Sequence, residues 1–171
     1  RRAFEPRLLT FAQSTQNTRT ARQHAMRELG RIGSAASAQG LIALLGDENL
    51  GSDAAMALER IADPAVDRAV LGALGNLAPD ARDRAVAILG ERGCAAAVRA
   101  IAPLLKNEDP VSAGTAVHAL GRIATPEAAA ALVAVLPGLK DRVKLAAWDA
   151  LLSCQSNAVG SGDTRTAQAV I

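Results

Sequence analysis

The chain has 171 residues, half of them hydrophobic, enough for a domain with a real core. Aromatic content is 2% with no tyrosine, so the core is built from Ala, Leu, Val and Ile; Ala and Leu are strong helix formers, and the alternating Val/Ile/Thr runs of strands are absent. Nineteen basic residues against 17 acidic ones give a net charge of +2, too little for the overall footprint of a nucleic-acid binder, and no run approaches the roughly 18 apolar residues of a membrane span.

Residues 1–19 do not share the pattern of the rest of the chain. Phe4, Leu8 and Phe11 lie at i, i+4 and i+7, with Pro6 in the first turn, a spacing that predicts an amphipathic helix acting as an N-terminal cap or as the second helix of an upstream unit. The polar run QSTQNT links it onward, with Asn17 placed to cap the next helix. This end is basic: residues 1–31 hold seven arginines against Glu5 and Glu28. A solvated face is the plain reading of that charge, and a nucleic-acid surface is the alternative.

From residue 20 the chain repeats itself. Leu29, Leu58, Leu89, Leu120 and Leu151 are spaced by 29, 31, 31 and 31 residues. Four positions before each stands an alanine (Ala25, Ala54, Ala85, Ala116 and Ala147). Three before stand Met26, Ala55, Val86, Val117 and Trp148, and three after stand Ile32, Ile61, Arg92, Ile123 and Cys154. Offsets of −4, −3, 0 and +3 share one helix face, so this stripe is core, Trp148 included, and Arg92 is its one break. A second stripe lies at +12 (Leu41, Val70, Ile101, Leu132) and +16 (Leu45, Leu74, Leu105, Leu136), a second helix in each unit. Gly33 and Gly93 are placed as left-handed C-caps, and Asp63-Pro64 and Thr125-Pro126 as stop-and-start signals between the two helices. Polar turns at Gly46–Asn49, Pro79-Asp80, Asn107–Pro110 and Lys140-Asp141 separate the units. The expected units are 20–49, 50–78, 79–109, 110–140 and a partial 141–154.

A helical hairpin cannot bury its apolar face alone, and stacking buries a continuous core. Gly30, Gly90 and Gly121 recur at one offset inside or near the end of the first helix, where glycine costs about 1 kcal/mol relative to alanine. Their recurrence predicts a tight helix crossing. Pro103 falls within a second helix and is expected to bend it. The fold expected is all-α, a right-handed α-solenoid of about five stacked hairpins with a period near 31 residues. Past Cys154 the run QSNAVGSGD predicts a flexible linker, and DTRTAQAVI, with Asp163 as N-cap, echoes NTRTARQHA at 17–25 as the start of a further helix. The chain opens at Arg1 and stops mid-pattern at Ile171, so a processed or excised piece of a longer protein is expected.

AMRELGRIGSAASAQGLIALLGDEN and AVHALGRIATPEAAAALVAVL resemble HEAT-like repeats of the short class seen in phycobilisome lyases. The resemblance covers roughly residues 20–154 and rests on packing residues. It implies a stacked-hairpin fold. By analogy alone it implies a lyase-like accessory role toward a bilin and a partner protein, and no residue here matches a lyase site.

A search for chemistry returns no catalytic, cofactor or metal site. His24 and His118 lie three units apart, roughly 30 Å at 8–10 Å per helix layer, and neither precedes a glutamate. Cys94 and Cys154 are two units apart, which gives neither a bridge nor a zinc pattern. Cys94 sits beside Arg92 near a helix start, and Cys154 lies on the core stripe. What remains is the outer face of the second helices, which lines the concave side of such solenoids. Gln39, Arg68 and Arg99 at +10, with Ile42, Leu71 and Val133 at +13, are the candidate partner-binding residues. The function expected is a non-catalytic interaction or scaffold module for a protein, a peptide or other domains of its own chain, either cytoplasmic or secreted after signal removal.

Overall fold

The computed structural model describes residues 4–139 and 141–161, and within them every regular element is helical. The chain divides into two compact units, Arg1–Ile88 and Leu89–Ile171.

The first unit opens with α1 (Glu5–Gln13), followed by the hairpin of α2 (Arg19–Ile32) and α3 (Ala35–Ile42), then that of α4 (Gly51–Arg60) and α5 (Ala65–Ala73). First helix packs on first helix, α2 on α4, and second on second, α3 on α5, while α1 lies on both α2 and α3. Leu29, Leu58, Leu41 and Val70 are fully buried, which places both repeat stripes in the core. Burying each leucine stabilises the unit by about 1.5–3 kcal/mol.

The anchoring of α1 differs from the sequence expectation. Phe4 and Phe11 are exposed, and α1 buries Ala12 and the carboxylate of Glu5 instead. Glu5 accepts hydrogen bonds from the Ser34 N–H (2.7 Å), the Ser34 hydroxyl (2.9 Å) and the Ser37 hydroxyl (2.6 Å), at the start of α3. An anion there meets free N–H groups and the positive end of the helix dipole, so this contact, rather than the phenylalanines, sets the face that α1 turns inward. Burial pushes the Glu5 carboxyl upward, but the hydrogen bonds from Ser37 and Ser34 outweigh it and hold the group below the usual glutamate value. Asp63 makes a second link of the same kind, accepting from the Ala35 N–H and from the Ala65 N–H, both at 2.9 Å, and so joins the starts of α3 and α5. Asn17 does not cap α2. Thr18 does, accepting from the Ala21 N–H, while the Asn17 amide donates to the Phe11 carbonyl and closes the end of α1.

Helix α6 (Pro79–Glu91) contains the division between the units; Pro79, expected in a turn, is its first residue, where a missing N–H costs nothing. In the second unit a 3₁₀ turn (Ala95–Ala97) leads into α7 (Val98–Ile101), which passes into a 3₁₀ segment (Ala102–Lys106) at Pro103 because the ring lacks the N–H that would continue the α-helix. Helices α8 (Pro110–Ile123) and α9 (Pro126–Val135) form the next hairpin, and α10 (Asp141–Ser161) packs mainly on α8. Capping is regular here. Asp109 accepts from the Val111 and Ser112 N–H groups, and Thr125 accepts from the Ala128 N–H. The Ser112 and Val111 N–H groups hold the Asp109 carboxyl below its usual value.

Two further expectations change. Gly93 is left-handed (φ 64°), but Gly33 is not; its φ is −67°, and its lack of a side chain serves close approach to Ile61 and the Leu29 carbonyl. Helix α10 runs on to Ser161 through residues for which the composition predicts a flexible linker. A helix of fourteen residues is already nucleated at Cys154, and Gln155, Ser156 and Ala158 cost little to add. The remainder of that segment, Asp163 included, lies outside the described residues.

The glycine crossings are as the repeat implies. A Cβ on Gly30 would lie 3.3 Å from the Ala57 Cα; one on Gly90, 2.6 Å from the Ala119 Cα; one on Gly121, 2.7 Å from the Ala150 Cβ. In each case a glycine one position after the key leucine meets an alanine one position before the next key leucine.

Candidate functional site

The six candidate partner-binding residues do not all face solvent. In the first unit Gln39 on α3 and Arg68 on α5 are exposed, and Leu71, one turn after Arg68, is half-buried. Ile42 is buried, which removes it from the candidate surface. Helix α3 packs against α1, α4 and α5, so its +13 position is covered along with its +12 position. In the second unit Arg99 on α7 and Val133 on α9 are exposed. Neither Arg68 nor Arg99 forms an ion pair among the described residues.

A mainly apolar concavity of the second unit lies elsewhere, and the sequence reading missed it. A cleft of about 840 Å³ lies where the 3₁₀ segment Ala102–Lys106, the start of α8, the end of α9 and the start of α10 meet. Leu105 and Ala113 are buried in its floor, and Val135, Leu139 and Val143 are half-buried along its walls. Lys106, Glu108 and Arg142 stand exposed at its rim. Arg99 and Val133 do not line it. Two second-helix ends that border it are 3₁₀ structure just before a polar turn, Ala102–Lys106 and Leu136–Gly138, each with a proline in its first two residues.

A smaller cleft of about 480 Å³ borders α8 and α10, with His118, Arg122 and Asp149 among its lining residues. Arg122 pairs with Glu91 at 2.8 Å, and the His118 Nε2 lies 3.6 Å from the other oxygen of the same carboxylate. All three side chains are substantially exposed, so the pairings contribute little stability. Among the described residues no three His, Cys, Asp or Glu side chains group closely enough to hold a metal ion.

Cys154 is fully buried, its thiol directed at the Gly121 carbonyl at 3.7 Å, and burial pushes its pKa up. Cys94 is buried in the position that Ser34, Asp63 and Thr125 use to cap the second helix of their units, but it makes no side-chain capping bond. Trp148 departs from the core reading. It is 48% exposed, and Leu145 and Leu152 are exposed on the same face of α10. Its counterparts Met26, Val86 and Val117 are fully buried and Ala55 is half-buried, whereas no helix among the described residues comes after α10 to cover it. No helix of the described residues is long and apolar enough to cross a membrane.

No curated protein matches the sequence. Two crystal structures of engineered proteins from the Northeast Structural Genomics Consortium are similar. One has a TM-score of 0.52 at 19% identity, covering 97% of this chain and 93% of that one. The other has a TM-score of 0.48 at 21% identity, covering 93% of this chain and 51% of that one. At such identities the first likeness speaks to the fold alone. Residues 68–152 match the family of HEAT repeats. With hairpins stacked first helix on first and second on second, and a glycine–alanine crossing recurring along the repeat, the chain is a HEAT-like repeat protein of the all-α class.

Proposed function

We propose that the chain is a non-catalytic interaction module that binds a protein or peptide on the outer face of its second helices, or that spaces domains of a larger protein. The observation that carries this reading is the division of labour along the repeat. The recurring leucines, alanines and glycines are consumed by packing, while the second helices keep exposed Arg68 and Arg99 without ion-pair partners among the described residues, with Leu71 one turn after Arg68 and Val133 exposed on α9. Arginine is among the residues enriched as interface anchors.

The arginine-rich start gives the nucleic-acid alternative less support than its charge suggests. Arg22 donates to the Ala12 carbonyl at 2.7 Å, and Arg31 pairs with Glu28 at 3.1 Å, so both have local structural work. The lyase-like alternative rests on resemblance, and no side chain here adds to it.

The test is affinity capture from the source cell with the native sequence and an Arg68→Glu/Arg99→Glu variant in parallel, partners being identified by mass spectrometry. A partner retained by the first and lost by the second is the expected result. Equal capture by both would remove the second-helix face, and turnover of a substrate by the purified chain would remove the non-catalytic reading.

A further inference from the structure

We propose that the cleft of the second unit, between the 3₁₀ segment Ala102–Lys106, α8, α9 and α10, is a docking site for a peptide segment that presents an aliphatic or aromatic side chain followed closely by a carboxylate. The inference rests on the reading of the chain as an interaction module, but it concerns a surface that Arg99 and Val133 do not line.

The volume, about 840 Å³, is within the range of ligand pockets and by itself fits a small molecule or a peptide. The placement of polar groups separates the two. Small-molecule sites orient their ligand with a few polar groups converging inside the cavity. Here the apolar lining is Leu105, Ala113, Val135, Leu139 and Val143, half-buried Asn107 has its side-chain oxygen taken by the Asp109 N–H, and the charged lining groups Lys106, Glu108 and Arg142 are exposed. An apolar centre with a charged rim is the anatomy of a protein interface.

The rim also states the sign of the partner. Lys106 and Arg142 form no ion pair among the described residues. The neighbouring Asp109 cannot neutralise them, because its carboxylate is committed to the Val111 and Ser112 N–H groups at the start of α8. Among the described residues that line the cleft, Glu108 is the one acid, set against the two cations Lys106 and Arg142. An apolar side chain in the cleft with an acidic residue beside it satisfies both features, and the rim charges would set specificity and on-rate.

The test is to pan a phage display library of random dodecapeptides on the immobilised chain, then measure the winning peptides by fluorescence anisotropy. Three variants are compared with the native chain. Ala134→Trp fills the mouth from an exposed helix position, Lys106→Glu/Arg142→Glu reverses the rim, and Arg68→Glu/Arg99→Glu leaves the cleft intact. Far-ultraviolet circular dichroism checks that each is folded. The expected result is an apolar–acidic consensus whose affinity falls at least about tenfold in the first two variants, weakens with salt and is unchanged in the third. Winners without an acidic position, or winners that bind the first two variants normally, overturn the proposal. Winners lost only in the third variant overturn the cleft while supporting the second-helix face. No enrichment over bare plastic also overturns it, and dodecanoate binding that Ala134→Trp abolishes would then make the cleft a small-molecule site.

Discussion

Gly121→Ala is expected to destabilise the chain, against the direction of helix propensity. A Cβ built on Gly121 would lie 2.7 Å from the Ala150 Cβ and 3.1 Å from its Cα. Carbon atoms rest about 3.5–4.0 Å apart, so α8 and α10 must separate by up to about 1 Å. Overpacking of this kind costs about 1–3 kcal/mol, and the propensity gain of alanine over glycine returns at most about 1 kcal/mol. The net loss expected is about 1–2 kcal/mol. Ala150→Gly alone is expected to cost about 1–2 kcal/mol, from helix propensity and one buried methyl. The swap, Gly121→Ala with Ala150→Gly, removes the 2.7 Å contact and leaves the 3.1 Å one. It should therefore be more stable than the sum of the single changes by about 1–3 kcal/mol. Urea unfolding followed by circular dichroism gives the global values, and the emission of Trp148, the sole tryptophan and a neighbour of the crossing on α10, follows that helix itself. A Gly121→Ala chain as stable as the native one, or a cycle additive to within about 0.5 kcal/mol, would refute the close-crossing account.

The opposite sign is expected where glycine has open space. Gly72→Ala in α5 and Gly114→Ala in α8 meet nothing within 4 Å and should each raise stability by up to about 1 kcal/mol in the same urea assay. Ala124, at the C-cap of α8, is the one non-glycine residue at positive φ among those described, at 50°. Ala124→Gly is expected to raise the unfolding midpoint by about 1 kcal/mol equivalent, since glycine adopts that conformation without the Cβ penalty. Glu5→Gln should cost about 1–3 kcal/mol at neutral pH by leaving a Ser34 or Ser37 donor poorly matched. Because the folded-state pKa of Glu5 is lowered, its contribution is complete above the unfolded-state value near 4.5 and lost as pH falls through the folded value. The stability curves of the variant and the native chain, measured from pH 7 down to about 2.5, should therefore converge in acid.

The parts of this architecture that recur were legible in the sequence, because a repeat averages out local accidents. The leucine at the reference position and the apolar residues at +12 and +16 are buried in every unit described, and the glycines after Leu29, Leu89 and Leu120 mark close crossings. What recurs only once was harder to read. Glu5 reads as an ordinary helix-start acid, and nothing local to it points to Ser34 and Ser37 about thirty residues on. Trp148 sits in a core register, but register implies burial only where a following helix covers the face. Ile42 and Val133 share the +13 offset yet differ in exposure, and α3, which carries Ile42, lies against α1, α4 and α5. The cleft was hidden because it lies where helix ends and polar turns meet, a feature of junctions rather than of the stripe.

The central claim, that this HEAT-like chain works by holding a protein partner, is tested most directly by hydrogen–deuterium exchange on the chain alone and bound to a partner identified by affinity capture. The account expects slowed exchange in α5, α7 and α9, which carry Arg68, Arg99 and Val133, and around the cleft in the 3₁₀ segment Ala102–Lys106 and the starts of α8 and α10, with the first helices α2 and α4 unchanged. Slowed exchange confined to those first helices, or none at all, would contradict it.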